Sequence, residues 1–205
     1  RSGKKVWKNM VKIIDEKTLF QVSDSIEEQV FEEEDIRVVV VDNFYKDPDI
    51  ILDLINTIPA STHTPNRRGF PGNQIDITYN MGYLTEVYTD LIQKYFSDIV
   101  SDDYLKDSFD NATFMVNVLK YTPSIKVPHV DIDGHFASGV YFNKECEGGT
   151  AFFSKITRQM LGIVEMKYNR MLLYKQNSPH TAYIEEETFV DTYRINQQFF
   201  IWDGS

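Results

Sequence analysis

Residues 150–184 read TAFFSKITRQMLGIVEMKYNRMLLYKQNSPHTAYI. Within this stretch four short apolar or β-branched segments, 150–153, 161–166, 170–175 and 181–184, follow one another at close spacing. They are too short for helices and rich in side chains that fit a pleated surface, and Asn169, Asn177 and Pro179 punctuate them. The stretch therefore predicts successive antiparallel strands of a sandwich or barrel. The pattern extends in both directions: segments 113–121 and 136–142 precede it and 192–202 follows it. A strand-rich half thus begins near residue 111.

The first half has a different character. Residues 36–41, Ile-Arg-Val-Val-Val-Val, predict a buried strand. Asp47-Pro48 offers an N-cap and a proline at the first helical position, after which Ile50, Ile51, Leu54, Ile55 and Ile58 recur at helical spacing up to Pro59. A second helix is predicted over about 83–100, where Leu84, Val87, Tyr88, Leu91, Ile92, Tyr95 and Phe96 form one apolar stripe. Between these helices, residues 60–82 carry Pro65, Gly69, Pro71, Gly72 and Gly82 and predict a long loop with a short strand-like Ile75-Asp76-Ile77, a candidate lid. The acidic run Glu32-Glu33-Glu34-Asp35 predicts a solvated turn, and Gly148-Gly149 a hairpin turn.

With 205 residues the chain can bury one sizeable core. The expected organisation is an N-terminal arm and acidic turn over 1–35, then a single domain over 36–205. A net charge of −10 argues against general nucleic-acid binding, because a surface of that sign repels phosphates. The exception is local: Arg1, Lys4, Lys5, Lys8 and Lys12 make residues 1–12 a basic arm. No apolar run is long enough for a membrane helix, and the first residues carry no secretory apolar core. The single Cys146 has no internal disulfide partner and sits between Glu145 and Glu147, which disfavour a thiolate. The expectation is a cytoplasmic protein.

Metal chemistry enters at Pro128-His129-Val130-Asp131. Residues two apart on an extended backbone point to one side, so the His129 imidazole and the Asp131 carboxylate can converge on one ion. His180, after Ser178-Pro179, is the candidate third ligand; two histidines and one carboxylate on one face leave three coordination positions open, as in non-haem Fe(II) oxygenases. His135, in Asp133-Gly134-His135, is an alternative to His129. Segments 181–184 and 192–202 predict a hairpin around Glu185–Thr188, which would set Arg194 nearly opposite His180. A fixed cation there suits a dicarboxylate that chelates the metal at one end and needs an ion pair at the other; Asn196 projects to the same side. A strand-edge ion pair with Asp191 or another acid is the other use of Arg194. Tyr121 suits either core packing or a hydrogen bond to such a ligand. His63, Arg67 and Arg68 read as loop residues.

The ordered set Tyr121, His129-Val130-Asp131, Gly139-Val140-Tyr141-Phe142-Asn143, Glu147-Gly148-Gly149-Thr150, Asn169-Arg170-Met171-Leu172-Leu173-Tyr174, Ser178-Pro179-His180 and Arg194-Ile195-Asn196 resembles the 2-oxoglutarate/Fe(II) oxygenase superfamily. It is nearest to the prolyl-hydroxylase-like branch and to bacterial and tailed-phage members, which places it in a bacterial or phage-infected cytoplasm. The resemblance covers about residues 113–202, with a looser match over 32–80. It implies a mainly β fold with packed helices: a double-stranded β-helix (a cupin-like jelly roll) with its core over about 111–203 and an N-terminal α/β elaboration. It also implies Fe(II) on His129, Asp131 and His180; 2-oxoglutarate held by Arg194, Asn196 and Tyr121; O2 as oxidant; and hydroxylation of a peptidyl or small-molecule substrate with release of succinate and CO2. Prolyl hydroxylases usually carry Lys where this chain has Arg194, and Asp131 argues against a halogenase. A cupin-type enzyme without 2-oxoglutarate, or a non-catalytic phage module, are the rival readings.

Overall fold

A computed structural model describes residues 16–59, 64–65, 73–78, 82–99, 111–116, 127–131, 135–145, 147–185, 188–189 and 193–201. In chain order the elements are α1 (Glu16–Leu19), β1 (Glu27–Glu33), β2 (Ile36–Asp42), α2 (Pro48–Thr57), β3 (Thr64–Pro65), β4 (Asn73–Thr78), α3 (Gly82–Phe96), β5 (Asn111–Val116), β6 (Phe136–Tyr141), β7 (Gly149–Phe153), β8 (Met160–Glu165), β9 (Met171–Lys175), β10 (His180–Tyr183) and β11 (Ile195–Ile201). Eight strands form a major sheet in the order β1-β2-β9-β6-β11-β5-β4-β3, and three form a minor sheet, β10-β7-β8. Both are antiparallel throughout. The fold is mainly β, a jelly roll with helices packed on it.

The central strands of the major sheet are buried on both faces, which is why they read as nearly continuous apolar runs. Period-two alternation sorts their side chains. Val39 and Val41 of β2, Met171 and Leu173 of β9, and Ile195, Phe199 and Ile201 of β11 join the outer core, with Ile51, Leu54 and Ile55 of α2 and Leu84, Tyr88, Leu91, Ile92 and Phe96 of α3. Pro48 at the start of α2 is compatible with the first turn of a helix, and Ile58 ends it in extended conformation. On the inner face Val38 and Val40, Leu172 and Tyr174, and Ala137 and Tyr141 pack with Phe152 and Val164 of the minor sheet. At roughly 25 cal/mol per Å² of apolar surface removed from water, these two layers carry most of the drive to fold.

Four expectations change. Residues before 36 are not simply an arm: β1 pairs with β2 along its whole length, and Leu19 and Phe20 are buried in the outer core. Glu32 and Glu33 therefore lie in a strand after Phe31, which stacks on Phe152; the turn itself is Glu34 and Asp35, with Glu34 at φ 53°. Residues 73–78 of the expected loop form β4, paired along its full length with β5, so the major sheet draws strands from well before residue 111. Gly148-Gly149 does not turn a hairpin, because β6 and β7 belong to different sheets. Its role is close approach: Gly148 has φ +101°, and a Cβ there would run into the Tyr183 carbonyl.

The fourth change concerns β10 and β11. They do not pair: β10 lies beside β7 with His180 opposite Phe152, whereas β11 lies between β6 and β5. Burial overrides sequence proximity here. Strand β11 carries apolar side chains on both faces and needs the middle of the large sheet, while Thr181 and the buried Ile184 after β10 need the minor one. Tyr121, His63, Arg67, Arg68, Cys146, Asp191 and the basic arm lie outside the described residues.

Candidate metal centre and anion pocket

Segment 127–131 runs antiparallel beside β10. His129 and His180 exchange both backbone hydrogen bonds at 2.9 Å, and the Asp131 N–H donates to the Gln176 carbonyl at 3.1 Å. This pairing does what spacing alone cannot, joining a two-residue motif to a histidine about fifty positions on. The result is a compact cluster in which the donor atoms of His129, Asp131 and His180 lie within 4.8 Å of one another. His129 Nε2 stands 3.9 Å from Asp131 Oδ1, and His180 Nε2 stands 3.5 Å from Asp131 Oδ2. The two imidazole rings lie 4.5 Å apart, centre to centre.

The tautomer of His180 follows from its partner. Nδ1 donates to the Ser178 carbonyl at 2.9 Å, so Nε2 keeps its lone pair and faces Asp131. Burial, reinforced by the neighbouring His129, pushes the His180 imidazole down to about 4 against the opposing pull of the Ser178 bond. It is neutral at physiological pH, the form a metal requires. His129 and Asp131 are half-buried, which leaves the cluster open on one side. His135 is exposed and stands outside the cluster.

Arg194 reaches the same inner layer by another route, over the ring of Tyr141, which shares a core cluster with the Phe152 and Tyr174 that pack beside His180. Asn143, just past β6, accepts the Ile195 N–H at 2.7 Å and donates to the Tyr193 carbonyl at 2.6 Å, clamping the residues on either side of Arg194. Alternation then aims Arg194 and Asn196 inward, with Tyr141 and Phe200. Arg194 is only 5% exposed. Its Nη1 donates to Asn196 Oδ1 at 3.1 Å, and it lies over the Tyr141 ring at 5.6 Å. Its Nε is buried without a partner, and among the described residues no carboxylate pairs with it. A buried orphan donor on a cation is costly, and an anion placed beside it would satisfy it.

Two tyrosines complete the wall, and neither received a role from the sequence although both stood in the quoted motif. Tyr141 shares a 2.6 Å hydrogen bond with Thr150 of β7, joining the two sheets beneath Arg194. Tyr174 packs edge-on against His180 at 4.9 Å and against Phe152 at 5.1 Å. Burial pushes its phenol well above the usual range, Asp131 and Tyr141 add to the rise, and Arg194 opposes it. Their signal was the inward phase of β6 and β9, which can be assigned only once the faces of the sheet are known.

Comparison with known proteins agrees with this architecture. A family model described as "Family of unknown function (DUF6445)" matches residues 23–163, a span that includes His129 and Asp131 and stops short of His180 and Arg194. Curated proteins yield no match. Among solved structures, a Pseudomonas putida prolyl-4-hydroxylase is similar at 14% identity and TM-score 0.52, covering 77% of this chain and 86% of that one. A Shewanella oneidensis protein proposed to be an oxygenase is similar at 12% identity and TM-score 0.56, covering 81% and 82%. At these identities the likeness speaks for the fold alone, the jelly roll expected from the sequence. No helix among the described residues is long and apolar enough to cross a membrane.

Proposed function

Since the chain belongs to DUF6445, a family of unknown function, its activity has to be read from its site, and we propose that it is an Fe(II)- and 2-oxoglutarate-dependent oxygenase. The observation that carries this reading is the pairing of a two-histidine, one-carboxylate cluster with a buried arginine that has no acid partner among the described residues. The first would hold Fe(II), leaving positions open for a chelating ligand and O2. The second would hold the far carboxylate of 2-oxoglutarate, with Asn196 fixing the guanidinium. Tyr121 remains a further candidate for that carboxylate. When bound, the metal and co-substrate supply oxidative decarboxylation to succinate and CO2 and the oxidation of a substrate C–H bond.

The chain's own contribution is positioning and exclusion of water. The Ser178 carbonyl holds the His180 ring in the tautomer that presents Nε2. The paired strands at 127–131 and β10 fix the spacing of the ligands. The Asn143 clamp fixes the depth of Arg194, and the Tyr141–Thr150 bond keeps the sheets from separating. Hydroxylation of a peptidyl side chain or a small molecule is the proposed reaction, and the likeness to a prolyl-4-hydroxylase fold makes peptidyl proline the first substrate to try.

The test is anaerobic addition of Fe(II) and 2-oxoglutarate, which should give the weak visible charge-transfer band of the chelate, followed by succinate on admitting air. His129→Ala, Asp131→Ala and His180→Ala should each abolish iron binding with the fold retained. A band without succinate would favour a binding module. Iron bound without either would favour a cupin-type enzyme.

A further inference from the structure

The His129–His180 bridge joins segment 127–131 to β10, and among the described residues no strand pairs with the other side of that segment. His129 directs both its N–H and its carbonyl to His180, and the Asp131 N–H turns the same way, to Gln176. Backbone groups of successive residues in a strand point to opposite sides, so the Val130 N–H and carbonyl and the Pro128 carbonyl point outward. Among the described residues no hydrogen bond ties them. Val130 is 42% exposed and Val127 68%, so this edge is open to solvent. Strand β1 shows how the chain guards an edge that stays in water, for Glu27, Glu28, Glu32 and Glu33 line it. The edge at 127–131 carries two valines instead, on the same strand as His129 and Asp131.

We infer that this edge takes an extended peptide substrate, which adds to it as an antiparallel strand and presents a proline side chain to the metal cluster. The inference rests on the proposed function and names its substrate class. The register follows from backbone geometry. A residue opposite Val130 exchanges both hydrogen bonds with it, whereas residues opposite His129 and Asp131 turn their N–H away from the sheet. Those same residues put their side chains on the face that carries His129 and Asp131, with Cβ atoms about 5 Å from those of the two ligands. The position beside the metal is thus one at which the peptide needs no N–H. Proline, which has none, fits there and is excluded from the place opposite Val130. With proline opposite His129, the residue before it faces Val130 and has the extended backbone that a proline imposes on its predecessor. The residue after the proline donates to the Pro128 carbonyl, and the next meets Val127 on the metal face, which favours an apolar side chain there.

The experiment titrates the wild-type protein, loaded with Zn(II) and 2-oxoglutarate so that no turnover occurs, with acetyl-Ala-Val-Pro-Ala-Leu-Ala-amide by calorimetry, and then with two backbone-methylated forms of that peptide. N-methylation of the valine, whose N–H faces the Val130 carbonyl, should weaken binding about tenfold, the effect of losing one hydrogen bond and leaving its acceptor covered. N-methylation of the leucine, whose N–H faces away from the sheet, should leave the affinity unchanged. By NMR, the parent peptide should slow hydrogen exchange at the Val130 amide about tenfold. Equal losses for the two methylated peptides, no loss for either, or a Val130 amide left unprotected would overturn the inference. Failure of the parent peptide to bind, in protein that gives the chelate band with Fe(II) and 2-oxoglutarate and then succinate in air, would overturn it and leave the oxygenase reading standing. Protein that gives no chelate band would overturn that reading and the inference with it.

Discussion

Asp42 and Arg194 are both charged and almost wholly buried, at 2% and 5% exposure, yet their surroundings are opposite. Asp42, at the end of β2, has its carboxylate saturated: Oδ1 accepts from Arg170 Nε at 2.6 Å, and Oδ2 accepts from Lys167 at 2.7 Å and Arg170 Nη2 at 3.0 Å. The Arg170 hydrogen bond is the main reason the Asp42 carboxyl is held below its usual range, with Lys167 adding to it against burial. Arg194 has one side-chain amide, one aromatic face and an orphan Nε. The desolvation cost of Asp42 is met within the chain. That of Arg194 is only partly met among the described residues, and on the proposed function a ligand closes it. On the proposed function two buried charges in one fold separate into a staple and a receptor, and the distinction lies in their partners rather than in their burial.

The strongest way to break this contrast is Arg194→Ala. Removing the guanidinium should weaken 2-oxoglutarate binding at least a hundredfold, about 3 to 5 kcal/mol by analogy with broken buried pairs. Iron affinity and stability without ligand should hardly change. Arg194→Lys should recover part of the loss, since the charge remains but the planar fork does not. Equal affinities for all three proteins, by titration of the anaerobic Fe(II) form, would make Arg194 a second staple.

The converse substitution is Asp42→Ala. It strips Arg170 and Lys167 of their partner and should destabilise the fold by about 3 kcal/mol in denaturant unfolding, discounted because Lys167 is half exposed. The 2-oxoglutarate affinity of the protein that remains folded should be unchanged. Lost affinity with intact stability would reverse the two roles.

A smaller effect comes from His180, whose imidazole is depressed to about 4 by burial. The folded apo-protein therefore holds fewer protons than the unfolded chain between that value and roughly 6.5, the unperturbed histidine value. Stability from this group is complete above roughly pH 6.5, falls as the pH drops and levels off below about 4. Between pH 7 and 5 the loss should be about 2 kcal/mol, at roughly 1.4 kcal/mol per unit. Unfolding curves at those pH values for wild type and His180→Gln would show it, and equal slopes would place the proton uptake elsewhere.

The sequence carried the periodic information well. Strands at 136–142, 150–153, 161–166 and 170–175 stand within a residue or two of β6 to β9, because short alternating segments bounded by turns have few other ways to bury their apolar side. His129 and Asp131 were legible as a pair because an extended backbone fixes their common side locally, and Arg194 and Asn196 share a side for the same reason. What only the tertiary structure decided is which strands meet. The hairpin of β10 and β11 was the cheapest closure by loop length, yet both strands found partners elsewhere, since the energy of covering two faces of β11 exceeds the entropy saved by a short turn. Arg194 thus comes from the edge of a major-sheet strand and His180 from the minor sheet, so the two can meet only across the inner layer. The roles of Tyr141 and Tyr174 depend on the same long-range choice: an inward tyrosine and an outward one look alike until the sheet has two faces.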